Sequence, residues 1–459
     1  MIERDLNEYS KLFIEYTELR LQENRSVSIG LLNGNPVRNE KSATSGVSAR
    51  VFKRGAWGFA SSPELDGEAP GEVIREATKN AVFLDNREKK SGRSLPKGHA
   101  VSQNDFSTHK PRLSQRELIE FVRSVDAHIA ESYPSLLSRS AVLRCLDMEK
   151  SIITSEGSVS YSMIPRTNVV IVLSVERDGG PVELYEVFGG LGQFEDVFAS
   201  PADMYSEIAS MHEHLMRKSE GVYAQAGPQE CVLDADLAGI LAHEALGHTT
   251  EADIVLGGSV APDYLGREAA SPLVTLIDFA HTALGKTCPV PVHIDDEGSR
   301  AEDAVIIDRG VLKGYMHNRE SAVRFESEPT GNARAFQFFD EPLIRMRNTA
   351  ILPGESSLEG MIGSIDEGYY LLRHSNGQAD STGEFMFGVP LGYEIRGGKL
   401  GKAIRDTTIS GVAFDVLKSV SMVSGDMSWS SGGFCGKKQL IPVGMGGPAI
   451  RCRVNIGGR

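Results

Sequence analysis

Arg25-Ser26-Val27-Ser28-Ile29-Gly30-Leu31-Leu32 alternates polar and apolar side chains as a half-buried strand does, and Asn33-Gly34 follows as a strong hairpin turn signal. The returning strands fall in Val47 to Phe59, with Gly55-Ala-Trp-Gly-Phe59 marking a bend. Upstream, Leu12, Ile14 and Leu19 predict a helical opening. Downstream, Val73, Ile74, Ala77 and Ala81 recur at helical spacing between Glu72 and Val82. A hairpin flanked by helices makes the first 110 residues or so an α+β unit.

Residues 89–112 are rich in Ser, Lys and Pro and predict a surface connection. Ser114-Gln-Arg-Glu117 is a capping box that opens a helix with Leu118, Phe121, Val122, Val125 and Ile129 on one face. From Ala141 to Gly190 the pattern is an antiparallel meander, turned at Glu156-Gly157 and at Asp178-Gly179-Gly180. Ser200-Pro-Ala-Asp203 then opens a helix running to about Arg217. A glycine-containing loop at 219–229 divides the chain into an N-terminal α+β domain, residues 1–222, and a C-terminal domain, residues 223–459. Beyond it glycine is frequent and short strands dominate: Leu273–Ile277, Ala304–Ile307 and Val311–Tyr315, the last two joined at Arg309-Gly310. The fold class is therefore α+β, its second domain mostly antiparallel β.

Hydrophobic residues make up 41% of the 459 and charged residues 24%, which excludes disordered, collagen-like and coiled-coil chains. With 62 acidic against 48 basic residues the net charge is −14, so the footprint of a general nucleic-acid binder is missing. The longest apolar run, Val169 to Leu173, is far short of the roughly 20 residues that span a bilayer. The charged start MIERDLNEYSKLF has no secretory h-region, and five widely spaced cysteines suit a reducing compartment. Cytoplasmic localisation is expected.

The chemistry gathers on the amphipathic stretch Asp234 to Asp253, which carries His243-Glu244-Ala-Leu-Gly-His248. Histidines one turn apart, at i and i+4, chelate one ion in the familiar zinc helix. Here they stand at i and i+5, about 140° apart on a straight α-helix, where they cannot share a metal. Either a π-type turn brings them onto one face, or Gly247 ends the helix and His248 reaches back from the loop. A competing reading takes His243 as a core histidine and His248 as a bystander.

Other candidates are weaker. His212 and His214 lie two apart on a helix and face different sides. His293 precedes Asp295-Asp-Glu297, which reads either as an acidic metal cluster or, more simply, as a surface turn before a strand. Gly444-Met-Gly446-Gly is a glycine turn without a phosphate-loop context. Cys231, Cys288 and Cys452 read as buried apolar residues. Cys435 differs, because its glycine-flanked loop from Ser430 to Pro448 lets the backbone approach a neighbour closely, although judged alone it too reads more simply as a buried cysteine without a function.

These segments carry a resemblance. His243-Glu-Ala-Leu-Gly-His248 with Thr250-Glu-Ala-Asp253, Cys435-Gly-Lys437 and Pro442-Val-Gly-x-Gly-x-Pro448 resemble the TldD/PmbA family of metalloproteases, also called modulators of DNA gyrase. Gly55-x-Trp-Gly-Phe59, Asp296-Glu-Gly298, Pro329-Thr-Gly-Asn-Ala-Arg334, Arg345-Met-x-Asn-Thr349 and Gly383-Glu-Phe385 follow in family order, so the likeness covers nearly the whole chain. The metal motifs match the TldD branch; the PmbA (TldE) branch lacks them. Lys438 stands where the pattern leads one to expect glycine.

The resemblance implies a zinc ion held by His243, His248 and Cys435, with a fourth position left for water and Glu244 as general base. It implies a zinc metallopeptidase acting on unfolded or flexible polypeptide, bound as an added strand. The expected assembly is a dimer, or a heterodimer with a metal-free PmbA/TldE-like subunit, without membrane or direct nucleic-acid contact. Two other classes stay open at this level: a non-catalytic, gyrase-modulator-like interaction protein, and a zinc hydrolase or amidase of small substrates.

Overall fold

The computed structural model describes residues 6–65, 67–88, 94–177, 179–430 and 432–457. The start of the predicted 89–112 connection, the first residue of the predicted turn at 178–180 and Ser431 in the cysteine loop lie outside them.

The opening hairpin is long. β1 (Tyr16–Leu32) pairs antiparallel with β2 (Asn35–Lys53), and Asn33 and Gly34 take φ of +50° and +80° at the turn. No helix reaches Leu19: a 3₁₀ turn occupies Leu6–Leu12, and Leu19 already lies in β1. Leu19 and Leu21 point into one core while the intervening Glu18, Arg20 and Gln22 are buried on the other face. The period is thus two rather than 3.6. β3 (Ala56–Ser62) returns along β2, and α1 (Ala69–Glu88) covers this end of the sheet.

The segment predicted as pure connection contains a short strand, β4 (Val101–Asp105). α2 (Gln115–Ser132) starts at the expected Ser114–Glu117 capping box. The predicted meander is β5 (Ser138–Thr154), β6 (Val159–Arg177) and β7 (Gly180–Leu191). The sheet order is β3-β2-β1-β5-β6-β4, with β7 also on β6 and only β4 parallel to its neighbour. The helix Tyr205–Ser219, preceded by a Ser200–Asp203 capping box, packs on β6 and β7.

β8 (Gly227–Leu233) belongs to a nine-stranded sheet in the second domain, which also holds a six-stranded sheet. Pairing is mostly antiparallel; β8 with Glu367–Leu372 and Asn348–Ile351 with Gly444–Gly447 are parallel. The Arg309-Gly310 turn forms as expected, both residues at positive φ, whereas the strand predicted from Leu273 begins only at Leu276. Between the two sheets runs the segment Ala235–Gly247. Leu237, Ala238, Ile240, Leu241, Ala242, Ala245 and Leu246 are buried around it, and among Leu237–Gly247 only Glu244 is not fully buried. The amphipathic helix expected from the sequence does lie against the C-terminal sheets, and it is buried on nearly every side.

The domains are clamped by ions. Asp295, Asp296 and Glu297, expected on a surface turn, are all buried. Arg50 meets Glu297 at 2.6 Å, Lys150 meets Asp296 at 2.7 Å, and Arg319 meets Glu156 at 2.6 Å. Carboxylates this deep require such partners.

Candidate metal centre

Asp234 caps the helix Ala235–Ile240, its side chain accepting from the Leu237 N–H, and the chain then widens into a π-helical turn over Leu241–Gly247. The His248 N–H bonds to the His243 carbonyl, the i→i+5 closure that returns both imidazoles to one side. Their ring centroids lie 5.4 Å apart. Gly247 does not break the helix; its φ is −55°. Its role is close packing, since a Cβ there would sit 1.9 Å from the Met346 sulfur.

Cys435 arrives from the other side on the hairpin Phe434–Lys437 and Gln439–Pro442. The turn residue Lys438 has φ +59°, which explains the expectation of glycine there. Arg345 pins the hairpin, donating to the carbonyls of Cys435 at 2.6 Å and Gln439 at 2.8 Å. Arg334 donates to the Pro442 carbonyl at 2.9 Å.

One donor atom each from His243, His248 and Cys435 lies within 4.8 Å of the others. His248 Nε2 is 3.3 Å from Cys435 Sγ. Bonds of about 2.0–2.1 Å to nitrogen and 2.3 Å to sulfur in a tetrahedral site imply a separation near 3.5 Å. Both ring nitrogens of His243 are buried without a hydrogen-bond partner among the described residues. Such an orphan is costly unless something absent from the polypeptide satisfies it. Burial alone would raise the Cys435 thiol, but the neighbouring His243 and His248 imidazoles pull it down to about 4. A buried thiolate beside two imidazoles is a donor set suited to zinc.

A second layer orients these groups. Glu251, fully buried, contacts His248 Nδ1 at 2.8 Å, and Lys437 reaches Glu251 at 3.1 Å and Asp253 at 2.9 Å. Burial opposes charge on Glu251, yet His248 and Lys437 hold its pKa below the usual value. Glu244 Oε2 stands 3.6 Å from His248 Nε2. Near it, His374 Nδ1 contacts Asp236 at 2.7 Å. Asp236 and His374 line a cavity of about 310 Å³, together with Trp429 and Gly433.

The structure thus brings His243, Glu244, His248 and Cys435 together and leaves the other candidates elsewhere. His212 stacks on Tyr133 and His214 contacts the Tyr393 hydroxyl. Asp295–Glu297 serve the domain clamp, and Gly444–Gly447 is a strand against the helix Ala235–Ile240. Sequence reasoning considered Glu251 only as a substitute ligand for Cys435, whereas it contacts His248 Nδ1, and it missed the contacts of Arg345 and of the Asp236–His374 pair. Its available signal was the Thr250-Glu-Ala-Asp253 and Arg345-Met-x-Asn-Thr349 segments.

Residues 226–458 match the family described as PmbA/TldA metallopeptidase C-terminal domain, and residues 17–81 match PmbA/TldA metallopeptidase domain 1. A protein of Methanothermobacter thermautotrophicus named Metalloprotease is 32% identical over 447 residues, 96% of this chain and 94% of that one. The Zinc metalloprotease TldD homolog of Saccharolobus solfataricus is 29% identical over 416 residues, 90% of each chain. The crystal structure of TldE from Thermococcus kodakarensis shares the fold, with TM-score 0.76, 18% identity and 99% coverage of both chains. The chain belongs to the PmbA/TldD metallopeptidase family.

Proposed function

We propose that this protein hydrolyses peptide bonds of unfolded or flexible polypeptide, with zinc held by His243, His248 and Cys435 and with Glu244 as general base. The observation that carries the reading is the convergence of three donor atoms on one point, one of them from an imidazole without a polypeptide partner. When bound, the ion supplies Lewis acidity and a more acidic water at neutral pH. Glu244 accepts the proton of the attacking water and returns it to the leaving amine. Glu251 fixes the tautomer and direction of His248, and Lys437 keeps Glu251 charged. Arg345 holds the cysteine hairpin in register with the helix.

The same reading takes residues 1–222 and 223–459 as the two domains and places the working assembly as a dimer. The fold's likeness to a TldE structure supports a TldE-like subunit as partner. Purified protein should carry about one zinc per chain, and His243→Ala, His248→Ala or Cys435→Ser should lose it on mild dialysis against chelator. Full zinc retention by Cys435→Ser overturns the donor set. A zinc-loaded protein that cleaves no flexible peptide, with or without a TldE-like subunit, returns the chain to the interaction-protein class.

A further inference from the structure

Beyond the cavity at His374 the cleft between the domains continues. A second cavity of about 250 Å³ shares Tyr185, Val187 and Gly432 with the first. Its floor is one face of the β5–β6 sheet. Arg144 lies opposite Asn168 and Leu146 opposite Arg166 in that pairing, so the two arginines are diagonal neighbours on the same face. Phe434, next to the proposed ligand Cys435, forms part of the roof.

The charge on this floor is unbalanced. The described lining residues include two arginines and no carboxylate. Arg144 is exposed and makes no ion pair among the described residues. Arg166 is 5% exposed, spends its two Nη groups on the carbonyls of Gly433 and Val443, and leaves Nε without a partner. A third guanidinium, Arg334, lies close enough to Arg166 to depress its pKa further, after burial. Other cations facing the cleft are matched: Arg373 by Glu186, His374 by Asp236, and Lys150 by Asp296. Like charges side by side on a part-buried sheet face are unfavourable without an anion to share. In a chain of net charge −14 such a surplus is a local feature and not an overflow of basic residues.

We propose that this cavity is a substrate subsite that takes a carboxylate of the bound polypeptide against Arg144 and Arg166. Leu146, Val170 and Phe434 would cover the aliphatic part of the same residue. The carboxylate comes from a Glu or Asp side chain or from the polypeptide's C-terminus. The proposal rests on the peptidase reading only in taking the occupant to be substrate.

The test is binding, so that it does not depend on turnover. Zinc-loaded Glu244→Gln protein, with the TldE-like subunit if one is needed, is titrated with fluorescein-labelled unstructured 12-residue peptides. The peptides differ in carrying Glu, Gln or Lys at one scanned position, each with a free or amidated C-terminus. At one position, or at the free terminus, the anionic peptide should bind roughly fivefold to tenfold tighter than its neutral counterpart, less so in high salt. Arg144→Glu, an exchange at an exposed position, should abolish that margin and favour Lys. Dependence on the scanned Glu identifies a side chain as the source; dependence on amidation identifies the terminus. Equal binding of all peptides, or a margin that survives Arg144→Glu, overturns the subsite. Charge-selective binding by a protein whose wild type cleaves nothing would leave the subsite standing and remove the peptidase reading. Cleavage without charge selection would do the reverse.

Discussion

Glu244 follows His243 directly, and its carboxylate stands near His248 Nε2 without being required to hold the ion. Glu244→Gln preserves shape and removes basicity. The variant should fold, bind zinc and lose about 10²-fold or more in kcat on a flexible peptide; single-turnover assays with metal analysis check it, and wild-type rates would sink the role. Glu251 acts one contact further out. Removing its charge by Glu251→Gln should weaken zinc binding about 10-fold to 100-fold, with unfolding behaviour little changed in the metal-free protein. Competition with a fluorescent chelator reads this directly. At this scale the His-Glu-x-x-x-His pattern singled out His243, Glu244 and His248 despite its spacing, and the family segments added Cys435; the structure brings the four together. The work of Arg345 and Glu251 was not legible. An arginine that serves backbone carbonyls looks the same in sequence as one on a surface.

The π-turn is the element on which the site depends. A spacing of five residues admitted two geometries, and the choice is made by distant packing: Met346 against Gly247, with sheets on both sides of the helix. Gly247→Ala would drive a methyl into the Met346 sulfur and should cost about 1–3 kcal/mol of stability, with zinc occupancy falling as His248 shifts. Adding Met346→Ala removes the clashing atoms, so the double variant should be less destabilised than the sum of the single ones. Additive losses in chemical denaturation would show that the two do not touch in the way described. Hairpins were the most readable elements, because Asn33-Gly34 and Arg309-Gly310 declare their own turns. The false helix over Leu12–Leu19 arose because Leu12, at the end of the 3₁₀ turn, and Ile14, in the link after it, read as one run with Leu19 of β1; from Glu18 to Gln22 polar and apolar residues do alternate. Strand β4 was hidden because its residues alternate between exposed and half-buried and its one apolar residue, Val101, faces solvent.

For the whole molecule, the least readable feature is the joint between domains. Acidic Asp295-Asp-Glu297 looked like a solvated turn because its counter-charges, Arg20, Arg50 and Lys150, come from the other domain. The joint also has a consequence for pH. Glu18 is fully buried beside Arg50 at 3.6 Å and accepts from the Tyr16 hydroxyl at 2.9 Å. Burial is the largest influence and outweighs the Arg50 charge, and Glu297 adds to it, so the carboxyl is pushed up to about 8. The folded protein therefore holds this proton more tightly than the unfolded chain, whose glutamate titrates near 4.3. Its contribution is complete below the unfolded value and is lost as pH rises through about 8. Glu18→Gln has no proton to lose at that position. Whatever the variant costs at pH 5, it should gain on the wild type steadily up to pH 9. Thermal midpoints of the two proteins across that range, in the same buffer series and with matched zinc content, measure the difference. A gap that stays constant with pH would mean that Glu18 is already ionised in the folded joint, held there by Arg50.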